Sequence, residues 1–234
     1  MKKICIALFA LSLWPACVFA AQPVVQEQVV EKPGDEGYVW NEMEGEKLIA
    51  LKAKGDPVIG AVAFEVCQGC HRANASGRVS GAYPRLAGQH ATVLIKQMAD
   101  IRARRRDNPK MDPYIDEHVV TPQEIADIAA YVESLPVSDA NGKGMGDNLE
   151  RGKEIYFKDC VKCHGNNGEG DAAQFYPMVA AQHYKYLLRE SIYIRDNLVR
   201  RNGNPKMREA IKFYNDEDLA LVSDFMSRMP PPAK

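Results

Sequence analysis

Two pentapeptides, Cys67-Gln68-Gly69-Cys70-His71 and Cys160-Val161-Lys162-Cys163-His164, constrain this 234-residue chain more than any other feature. With six Cys and five His in the whole sequence, one C-x-x-C-H run is improbable by chance and two are far more so. Two thiols one helical turn apart can each add to a vinyl group of a haem, and the adjacent His is then held over the iron as its proximal ligand. Other chemistries of the pattern fit less well. A zinc ribbon brings its C-x-x-C halves within about 15–20 residues of each other, whereas here nearly ninety intervene. Thioredoxin-like redox chemistry requires a strand-helix-strand context, and no convincing strand pattern is present. Structural disulfides would leave both following histidines unexplained. The expectation is two covalently attached haem c groups, one on Cys67 and Cys70 with His71 as iron ligand, the other on Cys160 and Cys163 with His164.

A shift of 93 residues lays one motif over the other, and the match continues beyond it. Tyr83-Pro84-Arg85-Leu86-Ala87-Gly88-Gln89-His90 falls on Tyr176-Pro177-Met178-Val179-Ala180-Ala181-Gln182-His183, Leu94 on Leu187, and Ile101-Arg102 on Ile194-Arg195. After a three-residue insertion, Asn108-Pro109-Lys110-Met111 lies on Asn204-Pro205-Lys206-Met207. Each half closes in a helical run. Thr121-Pro122-Gln123-Glu124 opens the first as an N-cap, a Pro at the first helical position and a capping-box Glu, and Ile125, Ile128, Ala129 and Val132 follow at helical spacing. The second runs from Asn215-Asp216 through Leu219, Val222, Phe225 and Met226 to Met229-Pro230. The fold class is therefore all-α, in two tandem domains at 56–136 and 148–234, joined by a linker at 137–147 that Gly142, Gly144 and Gly146 make flexible.

The repeat also selects the second axial ligand. Of the methionines, only Met111 and Met207 coincide between the halves, and each follows Asn-Pro-Lys, which breaks a preceding helix and leaves an extended loop to carry the sulfur. Thioether sulfur paired with His favours ferrous iron. His90 and His183 coincide too and are the rival ligands; at the start of a helix, capping or surface hydrogen bonding is their more ordinary use. Pro84 and Pro177 each lie thirteen residues beyond the proximal His, where a carbonyl can accept the imidazole Nδ1–H and orient the ring. Arg102, Arg104, Arg105 and Arg106, then Arg195, Arg200 and Arg201, cluster ahead of the two Met. They suit haem propionates, an acidic partner or an exposed face, and the sequence does not divide them.

The N-terminus reads as an export signal. Lys2 and Lys3 precede an apolar run from Ile4 to Ala20, and Val18-Phe19-Ala20 ends it as a cleavage site, so residues 1–20 are expected to be a signal peptide removed near Ala20, an uncleaved anchor being the alternative, and the destination is expected to be periplasmic. Removal takes Cys5 and Cys17 with it and leaves 28 basic against 31 acidic residues, without the positive excess that nucleic-acid binding calls for. At most peripheral membrane association and a monomeric state are expected. Residues 21–55 form an acidic extension, its first part a solvated tail and its stretch from Glu42 to Lys54 a short helix.

With these motifs on the page, the chain resembles the dihaem cytochromes c of the c4 type over residues 56 to 230. The resemblance implies two class I cytochrome c domains related by pseudo-twofold symmetry, with haems near their interface, and periplasmic transfer of single electrons between respiratory partners. It also implies an N-terminal helix in each domain whose Gly and aromatic cross the closing helix: Gly152 and Tyr156 against Phe225, and Gly60 and Phe64 against Tyr131. Two departures stand out. Gly60 and Phe64 are one residue nearer their motif than Gly152 and Tyr156 are to theirs, and Arg72 stands where the second motif has Gly165, so a different loop is expected there. The implied role is an electron carrier with redox-protein donor and acceptor. The alternative is the haem subunit of an oxidoreductase complex or a dihaem enzyme of peroxidase or thiosulfate-oxidising type, which would need an open iron position.

Overall fold

In the computed structural model, residues 39–232 other than 41 and 198–202 are described. Residues 1–20 (expected to be a signal peptide), the start of the acidic extension, and Arg200 and Arg201 lie outside the described residues. Among the described residues there are helices and one isolated antiparallel bridge, Asp171 with Tyr176, but no strand.

The first repeat is built from α1 (Gly45–Lys52), α2 (Pro57–Ala63), α3 (Glu65–His71), α4 (Ala91–Arg102) and α5 (Pro122–Ser134). Asp56 caps α2 with Pro57 as its first residue, and Thr121 with Glu124 forms the capping box of α5 as read from the sequence. The buried face of α5, with Ile125, Ile128, Ala129 and Val132, meets Phe64, Leu94 and Ile95 in one core. The expected helix of the acidic extension is α1. It packs on α4 and α5 and places Ala50 in that core, so this part of the extension is built into the first domain.

The second repeat follows the same plan in α6 (Leu149–Ile155), α7 (Val161–His164), α8 (Tyr184–Asp196), α9 (Pro205–Ile211) and α10 (Asp216–Arg228). Both expected helix crossings are present. Phe64 and Tyr131 have ring centroids 5.7 Å apart, Tyr156 and Phe225 5.6 Å. The one-residue offset between the repeats is absorbed by a single π-helical turn, Tyr156–Cys160, between α6 and α7. A π turn accommodates one extra residue without breaking the helix, so both crossings keep their geometry.

The loop after the first haem motif does not differ as its sequence suggested. Arg72 has φ 67° and ψ 159°, and Gly165 has φ 79° and ψ 169°. Both loops close identically, with Gly77 N–H donating to the His71 carbonyl at 3.0 Å and Gly170 N–H to that of His164 at 2.9 Å. Arg72 thus occupies a backbone region that only Gly visits without strain of about 1–3 kcal/mol. Arg72→Gly should raise stability by about 1 kcal/mol after the extra chain entropy of Gly is deducted. A higher urea midpoint at unchanged slope is the expected result.

The linker is likewise more ordered than its glycines imply. Gly144 N–H and Gly146 N–H donate to the two oxygens of buried Asp224 at 2.9 and 2.7 Å, and Asn141 Nδ2 donates to the carbonyls of Gln182 and Ser227. A Cβ on Gly144 would lie 2.6 Å from Asp224 Cγ, and one on Gly142 would overlap the Val79 carbonyl oxygen. These glycines permit close approach rather than flexibility.

The two repeats meet through reciprocal bonds. Gln89 accepts from Met178 N–H at 2.9 Å and donates to the Met178 carbonyl at 3.0 Å; Gln182 does the same with Arg85, at 2.9 and 2.8 Å. His90 Nε2 donates to the Glu169 carbonyl at 2.8 Å, and His183 Nε2 to that of Ser76 at 2.9 Å. Each pair is carried onto the other by the repeat, as a twofold axis requires of a self-complementary contact.

Candidate haem sites

Cys67, Cys70 and His71 lie on α3; Cys160 ends the π turn, and Cys163 and His164 lie on α7. In both repeats the helix delivers the His ring inward, leaving His71 4% and His164 7% exposed. His71 Nδ1 donates to the Pro84 carbonyl at 3.1 Å, and His164 Nδ1 to the Pro177 carbonyl at 2.9 Å, as the spacing suggested. A carbonyl only accepts, so the Nδ1 atoms carry the protons and the Nε2 lone pairs are left for a metal. Burial lowers both imidazole pKa values, against the raising effect of the carbonyl bond, and keeps the rings neutral.

Cys67 and Cys160 are not poised as thiolates. Burial, with a smaller contribution from Cys70, pushes Cys67 up to about 11; burial, with Asp159 and Cys163, pushes Cys160 up to about 12. None of the four is in a disulfide. Among the described residues no three His, Cys, Asp or Glu side chains converge as metal ligands. A zinc centre or a reactive dithiol calls for the opposite.

Cys160, His164 and Met207 line one cavity whose other walls are mostly apolar, including Ile155, Leu187, Val222 and Met226. Cys163, His164 and Met207 line an adjoining one. Walls that are mostly apolar suit a largely apolar macrocycle, so the residues around the second motif fit a haem. Met207 is carried on the first turns of α9, capped by the Asn204 side chain with Pro205 at the first position, and not by an extended loop. Met111 lies at the start of a 3-10 turn, Asp112–Tyr114. Asn-Pro-Lys-Met here starts a helix, because Pro has the right φ and needs no N–H partner at that position.

Tyr83 and Tyr176, visible in the repeat but without an expected role, both contact a motif cysteine. Tyr83 interacts with Cys70 and Tyr114, which raises its pKa. Tyr176 has its pKa raised by burial and Cys163, and bonds Asn204 ahead of Met207. The rival ligands His90 and His183 are engaged at the domain interface. His183 is 2% exposed, and its Nδ1 accepts from Gly142 N–H at 3.0 Å while Nε2 donates across the interface. It is therefore a buried bridge and not a surface residue.

The arginines divide. Arg102 donates to the carbonyls of Ile115 and Val120, and Arg195 to that of Tyr214, so the repeated Arg ties α4 and α8 to the segment before each closing helix. Arg102 also pairs with Glu46, Arg105 with Glu42, and Arg106 with Glu190. Two acids of the N-terminal extension are thus spent on this chain's own basic cluster.

A family model described as cytochrome c matches residues 58–136 and again 149–230. Cytochrome c4 of Thiocapsa roseopersicina is 33% identical over 180 residues, 74% of this chain and 92% of that one. The chain belongs to the cytochrome c family, as a dihaem member of the c4 type. It is accordingly an electron-transfer cytochrome with two covalently bound haem c groups, an electron carrier whose partners are redox proteins. The crystal structure of reduced cytochrome c4 from Pseudomonas stutzeri superposes with a TM-score of 0.65 at 24% identity, covering 75% of this cytochrome and 100% of that chain, and supports the tandem class I cytochrome c fold. A protein of Stutzerimonas stutzeri named thiosulfate dehydrogenase electron acceptor is 30% identical over 172 residues, 70% of this chain and 78% of that one. No helix among the described residues is long and apolar enough to cross a membrane.

Proposed function

We propose that this cytochrome is exported to the periplasm after cleavage near Ala20 and passes single electrons between respiratory partners through two His/Met haems. Cys67 and Cys70, and Cys160 and Cys163, are the thioether positions; His71 with Met111 and His164 with Met207 are the iron ligands, within domains at 56–136 and 148–234. When bound, each haem supplies a one-electron ferric/ferrous couple. The residues around it orient and shield it. The Pro84 and Pro177 carbonyls hold the imidazoles correctly turned, burial keeps them neutral, and the apolar walls of the second cavity exclude water. The observation that carries this reading is the convergence of Cys160, Cys163, His164 and Met207 on adjoining cavities, with His164 Nδ1 tied to the Pro177 carbonyl. Neither His90 nor His183 offers a free Nε2. An iron held by both a His and a Met of the chain would leave no position for substrate, which favours a carrier over an enzyme.

Absorption spectra of the oxidised protein test the ligand set. The weak far-red ferric band of sulfur ligation should be present for both haems, falling by about half in Met111→Ala and again in Met207→Ala. High-spin haem in the wild type, with thiosulfate or peroxide turnover, would overturn it. The relative named for accepting electrons from thiosulfate dehydrogenase supports a second reading, in which the donor is an enzyme of that kind. Stopped-flow reduction by such an enzyme discriminates: saturable, salt-sensitive reduction of this cytochrome supports a dedicated pairing.

A further inference from the structure

The extension ahead of the first repeat reaches the second. Five residues before α1, whose Ala50 is anchored in the core of the first domain, Trp40 lies against two aromatics of the second domain. Its ring stacks on Tyr176 at 5.9 Å with planes 30° apart and meets the edge of Phe175 at 6.1 Å. Lys96 of α4 places its Nζ 4.7 Å from the Trp40 ring centroid. Trp40 is therefore one wall of the cavity lined by Cys163, His164, Tyr176 and Met207. Phe175 is held at φ 57°, a left-handed conformation unusual for a bulky residue, and remains 6% exposed.

Among the described residues the first repeat has no such arrangement. Ala82 stands where the second has Phe175 and is exposed, and Tyr83 meets His71 edge-on at 6.0 Å with Arg78, not an indole, near its ring. The only other tryptophan, Trp14, lies outside the described residues.

We infer that Trp40 is a positioning residue for the second redox centre: Trp40, ahead of the segment 42–52 that is rooted in the first domain, acts as a strap that closes the second haem cavity to water and makes the two centres inequivalent. Excluding water from an iron centre disfavours its more highly charged ferric state and raises its potential, one of the few levers a protein has on a haem with fixed ligands. Because the strap is anchored on one domain and caps the other, it also couples closure of the second cavity to docking of the two domains. The inference rests on the proposed His164/Met207 site, and its test separates the two.

Proton NMR of the ferric protein would first assign the Met207 methyl resonance by its loss in Met207→Ala. If no shifted methyl disappears there, it is the ligand assignment that fails. With the resonance assigned, Trp40→Ala should move it while leaving the Met111 methyl in place. One of the two steps of a redox titration should fall, and imidazole should bind the second ferric haem roughly tenfold faster, the scale set by losing two ring contacts and a cation–π contact. Trp40→Phe, which keeps an aromatic cover, should stay near the wild type in all three. An unmoved Met207 methyl with unchanged potentials and imidazole rates would overturn the proposal, as would equal changes at both haems.

Discussion

Gly60→Ala is expected to abolish the stably folded first domain. A methyl on Gly60 would overlap the carbonyl oxygen and carbon of Asp127 on α5 and lie 2.9 Å from Tyr131 Cβ. The obstacle is backbone, which cannot rotate away as a side-chain tip can. To admit the methyl, α2 and α5 must separate. That loosens the Phe64–Tyr131 contact and the 2.7 Å bond from Asp56 N–H to Asp127 Oδ1 at the start of α2. Overpacking a tight core costs about 1–3 kcal/mol and occasionally more. Here the loss of the helix crossing adds to it, and a total of about 4 kcal/mol or more is a large part of what a domain of this size has to lose. The expected readout is holoprotein lacking a cooperative first-domain transition in urea, with the second-domain transition retained. Gly152→Ala, whose methyl would overlap the Leu221 carbonyl oxygen less deeply and lie 3.1 Å from Phe225 Cβ, should do the same to the second domain to a smaller extent. An unchanged midpoint for Gly60→Ala would show that the crossing has room.

Asp224→Asn is expected to cost about 3 kcal/mol and to loosen the connection between the domains. The carboxylate accepts from Gly144 N–H, Gly146 N–H and Arg228 Nε, the last at 2.8 Å, and is 4% exposed. An amide of the same shape offers one acceptor where two backbone donors arrive, so a buried N–H faces a donor, and the charge opposite Arg228 disappears. Burial by itself would raise the Asp224 pKa, but the bonds from Arg228, Gly146 and Gly144 together hold it below the usual carboxylate range. With a depressed folded-state pKa, the stabilisation is fully present above the unfolded value of about 4 and is lost as pH falls through the folded one. The wild type should therefore lose stability to acid more steeply than Asp224→Asn, the two converging at low pH. Urea titrations at pH 7 and below pH 4 measure this, and a pH-independent difference between the two proteins would contradict it.

Much of the architecture was legible because its signals are local. A capping box, a Pro at the first helical position and an apolar stripe are properties of a few neighbouring residues, and α5 and α10 begin where Thr121 and Asn215 place them. The Pro84 and Pro177 bonds to His71 and His164 could be read from a repeated spacing of thirteen residues. What could not be read depends on a partner far along the chain. The linker glycines looked flexible because Asp224, some eighty residues away, is invisible at that point of the sequence. Arg72 looked like the sign of a different loop because a strained backbone conformation leaves no composition signature. His90 and His183 looked like helix-start residues at the surface, and they do sit at helix starts, but their rings bond carbonyls of the opposite domain.

By itself, then, the sequence determined the chemistry and the number of units. Two C-x-x-C-H runs specify covalent haem, because a helical turn sets the distance between the thiols, and a 93-residue repeat specifies two helical domains. Only the tertiary structure decided how those units are made one and how they differ. The reciprocal Gln89 and Gln182 bonds, the acids of the extension that neutralise Arg102 and Arg105, and the reach of Trp40 into the second domain all join residues remote in sequence. Such contacts are selected by packing the whole chain, and no local pattern encodes which of many similar side chains will meet.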